Sequence, residues 1–130
     1  MKRIVVIDDE LAVAKSVARM LRVRGYVSEI ATSGAAGIEL VNCTHPQLVI
    51  TDMRMPVLSG ADVFHALRAS PRTCHIPVLI ISAYSSEQCE GCGDAHLQKP
   101  FLMSDLLQAV DSLIPKALPE QFTQKSLSCG

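Results

Sequence analysis

The stretch KRIVVIDDELAVAKSVARMLRVRGYV (2–27) decides the fold. It opens on an apolar, largely β-branched run, Ile4 to Ile7, which breaks off at Asp8, Asp9 and Glu10. A short run that is apolar on both faces suits a strand covered on both sides, as in a parallel sheet. Immediately after the acids, apolar residues fall at 11, 14, 17, 18 and 21, the spacing of one helix face, and Gly25 supplies a stop. Val27 to Ala31 then reads as a shorter, more polar strand.

The alternation continues along the chain. Thr32-Ser33-Gly34 offers a cap for a helix over Ala35 to Cys43. Leu48 to Thr51 is a buried strand ending at Asp52, and a loop containing Pro56 leads to a helix over Gly60 to Ala69. Val78 to Ile81 is a fourth strand ending at Ser82, and Ala95 to Gln98 a weak fifth one ending at Lys99-Pro100. A last helix covers Met103 to Ile114, with Ser104 as its cap and Pro115 as its stop. Strands alternating with helices imply a parallel sheet, right-handed crossovers and helices on both faces.

The chain has 130 residues, enough for one domain and too few for two. With 48% hydrophobic residues it builds a core without staples. Twelve basic against 13 acidic side chains give no basic excess, which argues against a general nucleic-acid or membrane-surface binder. Trp is absent and aromatics are 4%, so a base-stacking platform is not expected either. The longest purely apolar run, Val78 to Ile81, is far short of the roughly 20 residues of a membrane helix. The N-terminus lacks a secretory signal core, so a cytoplasmic location is expected. Five cysteines, Cys43, Cys74, Cys89, Cys92 and Cys129, are then read as free thiols, with Cys43 and Cys74 buried or partly buried.

In an open parallel sheet, ligands bind at the carboxyl ends of the strands. Those ends carry Asp8 and Asp9, Asp52, Ser82 and Lys99. Close carboxylates need a counter-charge to stay ionised together, and a hard divalent cation such as Mg²⁺, with its preference for oxygen ligands, supplies one. An ammonium and a hydroxyl beside them suit the oxygens of a phosphoryl group, and a carboxylate in such a site can attack phosphorus to form an acyl phosphate.

VVIDDE (5–10), VITDMRMPVLSG (49–60), ISAY (81–84) and LQKPF (97–101), in this order and each at a strand end, resemble the receiver domain of two-component response regulators. The resemblance implies a flavodoxin-like, doubly wound five-stranded sheet of order 2-1-3-4-5, with a receiver over residues 1–116 and a polar tail or linker over 117–130. It implies that Asp52 is the phosphoacceptor and that Asp8, Asp9, Asp52 and the backbone carbonyl of Arg54 hold Mg²⁺ or Mn²⁺. Ser82, Ala83, Tyr84 and Lys99 would bind the phosphoryl group and form the switch, with Lys99 and Ser82 assisting Asp52 in the chemistry. The Lys99–Pro100 bond would be cis. The implied donor is a sensor histidine kinase or histidine phosphotransfer protein, and the protein is a signalling switch with only self-phosphorylation and self-dephosphorylation activity. The alternatives are a receiver used for constitutive contacts and an aspartyl phosphatase, the latter disfavoured because Arg54 stands where a general acid would.

The chain departs from the family between Ser82 and Lys99, a segment about five residues shorter than usual. Residues 85–93 lack an apolar stripe and hold two glycines, so a single short turn or an irregular loop is expected in place of a full fourth helix. Cys89-x-x-Cys92 in this segment is read as incidental, with a zinc site or a redox pair as the sharper alternative, and His96 as a half-buried packing residue. Lys15, Arg19 and Arg22 form a basic stripe, read as a solvated face with docking of a phosphodonor as the sharper alternative.

Overall fold

A computed structural model of the chain describes residues 2–83 and 92–114. Its elements are β1 (Arg3–Ile7), α1 (Leu11–Val23), β2 (Val27–Ala31), α2 (Gly34–Thr44), β3 (Leu48–Asp52), α3 (Gly60–Arg68), β4 (Val78–Ser82), β5 (Ala95–Gln98) and α4 (Met103–Leu113). All neighbouring strands pair in parallel, and the sheet order is β2-β1-β3-β4-β5. This is the flavodoxin-like architecture that the strand–helix alternation and the resemblance predict.

The apolar strands divide their side chains between two cores. Ile4, Val6, Leu48, Ile50, Leu79 and Ile81 pack with Ala14, Val17 and Leu21 of α1 and Leu106, Leu107 and Val110 of α4. Val5, Ile7, Val49, Val78 and Ile80 point the other way, toward Val41 of α2 and Val63, Phe64 and Leu67 of α3. Period-two alternation within runs that are apolar throughout thus feeds both layers. Each side chain of Leu or Ile size fully buried here contributes roughly 2 kcal/mol. β4 is buried at all five positions, whereas edge strand β5 is intermediate at three positions and exposed at Gln98.

Helix starts follow local chemistry with one correction. Ser33 caps α2 by accepting from the Ala36 N–H at 3.1 Å. Ser59 caps α3, and its partner Asp62 accepts from the Ser59 N–H, forming a reciprocal capping box. Ser104 does not cap α4. Leu102 is the capping residue, and Asp105 satisfies the backbone by accepting from the Leu102 N–H at 3.1 Å. A carboxylate reaching back three residues does what a cap hydroxyl would otherwise do.

The expectations for Tyr84, for most of the shortened fourth helix and for Cys89, Cys129 and the tail from Pro115 lie outside the described residues. Lys15, Arg19 and Arg22 are exposed along α1, as a surface stripe should be. Cys43 is exposed and free, where a buried or partly buried position was expected, because it falls on the outer side of α2. The reading of free thiols fails at two positions: Cys74 and Cys92 are each disulfide-bonded.

Candidate functional site

Strand register assembles the site. β1 and β3 are neighbours with Ile7 opposite Thr51, so Asp8 and Asp52, the next residue of each chain, emerge side by side. Asp8, Asp9 and Asp52 each offer a carboxylate oxygen, and these oxygens lie within 4.8 Å of one another. On the other side of β3, Asp52 pairs with Ile81, which puts Ser82 one step beyond. Ser82 pairs in turn with Gln98, and the Lys99 N–H donates to the Ser82 carbonyl at 2.7 Å. Lys99 then reaches back across β4, its Nζ 3.2 Å from Asp52 Oδ1. The bond from Lys99 to Pro100 is cis.

The loop after Asp52 is drawn tight against it. The Met53 N–H donates to the Ile81 carbonyl and the Gly60 N–H to the Met53 carbonyl, both at 2.8 Å. A Cβ on Gly60 would stand 2.6 Å from the Asp52 carbonyl oxygen, so the start of α3 can close over the site only as glycine. Thr51 is fully buried and its hydroxyl donates to the same Asp52 carbonyl at 3.1 Å. Thr51 and Gly60 are supporting residues that sequence reasoning left without a role. The available signal was a lone hydroxyl in an apolar strand and a glycine at a helix start. Val57, at the tip of this loop, has φ of 70° and is 98% exposed.

Burial and like charge set the electrostatics. Asp8 is 5% exposed, and its carboxyl is pushed up to about 6, chiefly by burial and further by Asp52 and Asp9. Its Oδ1 accepts from the Glu10 N–H at 2.9 Å, which opposes the rise. This bond goes to the residue preceding α1, and Glu10 itself makes no side-chain cap, so capping does not account for the acids. Asp52 is likewise raised by burial, with Lys99 pulling it down and Asp9 pushing it up. The pocket therefore holds more negative charge than Lys99 balances. Hard oxygen donors in a half-buried acidic cluster fit a small divalent cation. Ser82 is buried and Ala83 exposed beside it, while Arg54 is exposed at the rim.

The model of the response regulator receiver domain matches residues 4–111. The chain belongs to this family. It is a receiver domain of the two-component signalling systems, and its order of strands is that of its relatives. The response regulator MprA of Mycobacterium sp. strain KMS is 33% identical over 124 residues, which are 92% of this chain and 53% of that protein. The chain thus spans about half the length of the curated relatives it matches. Among solved structures, the response regulator TrrA of Thermotoga maritima, in complex with Mg²⁺ and BeF, shares 28% identity at a TM-score of 0.80, over 87% of this chain and 99% of that one. The receiver domain of a sensor histidine kinase of Pseudomonas aeruginosa, which holds a magnesium ion in its active-site cleft, has the same fold at 23% identity and a TM-score of 0.80, over 87% of this chain and 97% of that one.

Proposed function

We propose that this receiver is a phosphorylation-dependent switch in which Asp52 accepts a phosphoryl group from a phosphohistidine of a sensor histidine kinase or histidine phosphotransfer protein. The supporting observation is the meeting of three carboxylates with Lys99 at the carboxyl ends of β1, β3 and β5. Asp8, Asp9, Asp52 and the Arg54 carbonyl would hold Mg²⁺, or Mn²⁺ in its place. Bound there, the cation supplies positive charge against the carboxylates and the phosphoryl oxygens.

In this reading an Asp52 carboxylate oxygen attacks phosphorus, the P–N bond to the histidine breaks, and the imidazole leaves with its electron pair. Lys99 exchanges its Asp52 oxygen for a phosphoryl oxygen, and the Ser82 hydroxyl donates to another. The added group carries roughly two negative charges, so the packing that brings Ser82, Ala83 and Lys99 closest to it is favoured. Tyr84 follows Ser82 inward and alters the surface offered to a partner. Water later cleaves the acyl phosphate, releasing inorganic phosphate and restoring the carboxylate. The switch spans residues 1–116, with 117–130 as a tail or linker, and works in the cytoplasm. No helix among the described residues is long and apolar enough to cross a membrane.

The test is intact mass after incubation with Mg²⁺ and a small acyl phosphate donor. A phosphoryl adduct is expected on the wild type, lost in Asp52→Asn and suppressed by chelator. An adduct that persists in Asp52→Asn would overturn the assignment. No adduct with any donor would favour a receiver used for constitutive contacts.

A further inference from the structure

Thr51 places a fully buried hydroxyl beside the phosphoacceptor position. Its strand neighbours Val49 and Ile50 are apolar, and period two puts Thr51 on the face of Val49, which packs toward Val63 and Phe64 of α3. A hydroxyl sunk in such a wall costs stability unless it finds a partner. Here the partner is the Asp52 carbonyl, to which it donates at 3.1 Å. That carbonyl shares its peptide with the Met53 N–H, which donates to the Ile81 carbonyl of β4 at 2.8 Å. The same N–H also favours the charged form of the Asp52 carboxylate. Gly60 closes over this peptide: a Cβ there would stand 2.6 Å from the Asp52 carbonyl oxygen and 3.0 Å from Met53 Cα. The Gly60 N–H fixes the next peptide by donating to the Met53 carbonyl at 2.8 Å. The backbone that follows the nucleophile is thus held from β3, β4 and α3 at once.

We propose that Thr51 is a positioning residue for phosphoryl acceptance: its hydroxyl fixes the tilt of the Asp52–Met53 peptide, and through it the direction in which the Asp52 carboxylate points. The peptide is a rigid plane, so the carbonyl and the N–H on it do not turn independently. With valine in place of threonine the shape is kept, but the carbonyl faces a methyl group. A buried carbonyl without a partner is costly, so the plane tilts in search of another donor. The Met53 N–H then leaves the Ile81 carbonyl, and the carboxylate turns from its place beside Lys99, whose Nζ lies 3.2 Å from Oδ1. A displacement of about 1 Å at the attacking atom is enough to slow a reaction by as much as roughly a hundredfold. Thr51 acts through the backbone of Asp52 and not on the donor. The inference rests on the reading of Asp52 as the phosphoacceptor.

The experiment follows the intact mass of the full chain over time with acetyl phosphate and Mg²⁺. In the step observed, an Asp52 oxygen bonds to phosphorus, the P–O bond to the acetyl group breaks, and acetate leaves with the electron pair. Thr51→Val should slow adduct formation about fivefold or more, and Thr51→Ser, which restores the hydroxyl, should recover at least about half of the wild-type rate. Both should melt lower than wild type by roughly 5 °C, the first through the lost hydrogen bond and the second through the lost methyl group. Thr73→Val is the control. Thr73 is 1% exposed and its hydroxyl donates to the Leu67 carbonyl at 2.6 Å, at the end of α3 away from the site. This variant should also melt lower, yet keep the wild-type rate. Amide NMR gives a reading that needs no phosphoryl transfer: Thr51→Val should shift the Met53 and Gly60 N–H resonances and hasten their exchange, and Thr73→Val should leave both in place. If Thr51→Val does not fold, Thr51→Ala carries the same expectations. The proposal is overturned if Thr51→Val forms adduct at the wild-type rate, if Thr51→Ser is as slow as Thr51→Val, if Thr73→Val is slowed as much, or if the two amides do not move. A wild type that takes no phosphoryl group refutes the phosphoacceptor reading, while the amides still judge whether Thr51 holds the peptide.

Discussion

Asp8→Asn separates the cost of the acidic cluster from its use. In the folded chain Asp8 is raised from 3.8 to about 6, mainly by burial. A difference of that size corresponds to roughly 3 kcal/mol between ionised and neutral forms. The sign follows from proton binding. The folded chain holds this proton more tightly than the unfolded one, so the stability tied to it is present below about pH 4 and lost as pH rises through about 6. At neutral pH the cation-free wild type therefore carries the cost of an ionised, buried carboxylate. Asparagine keeps the acceptor for the Glu10 N–H and carries no charge. In chelator at pH 7.5, Asp8→Asn should melt higher than wild type by roughly 5–10 °C, and the difference should shrink toward pH 4. Added Mg²⁺ should close most of that gap, since a ligand bound to the folded state at a hundredfold excess over its Kd stabilises by about 2.7 kcal/mol and the variant has lost one of its oxygen anions. Differential scanning calorimetry across pH, with and without Mg²⁺, reads both effects. A variant no more stable than wild type in chelator at pH 7.5, or one stabilised equally by Mg²⁺, would refute the reasoning.

Three further substitutions probe the surroundings of Asp52. Lys99→Ala removes the ammonium 3.2 Å from Asp52, so the Asp52 carboxyl should titrate higher by carbon NMR; an unmoved titration would show that the pair does not form in solution. Gly60→Ala forces a Cβ to within 2.6 Å of the Asp52 carbonyl and should cost about 1–3 kcal/mol in urea unfolding while slowing adduct formation, and unchanged stability would mean that the loop gives way freely. Val57→Gly relieves a β-branched residue at φ of 70° whose side chain is 98% exposed, so stability should rise by about 0.5–1 kcal/mol; a loss would reveal a contact made by that side chain.

Much of the fold is legible because its signals are local. Ile4 to Ile7 is apolar on both faces and stops at charged residues, and α1 carries its buried Ala14, Val17 and Leu21 at helical spacing. Element limits read from sequence agree with the structure to within about one residue, apart from the cap of α4, where Asp105 rather than Ser104 satisfies the backbone. The site was legible for a different reason. Asp8, Asp9 and Lys99 follow the last residues of their strands and Asp52 ends β3, and a parallel sheet aligns such positions at one rim. Contacts between distant segments left no such mark. Nothing near Gly60 in sequence announces the approach of the Asp52 carbonyl. The left-handed backbone of Val57 was hidden because a β-branched residue is the last type expected there.

The unequal burial of β4 and β5 gives the sheet unequal stiffness. β4 is enclosed at every position, and a displaced atom there meets close-packed neighbours on both faces. β5 is an edge with no position fully enclosed, and its surroundings yield at lower energy. A push that starts between Asp52 and Ser82 therefore finds a rigid wall toward the middle of the sheet and a compliant one toward its rim. Mechanical work done at the strand ends is delivered outward through β5, and the interior registers little of it.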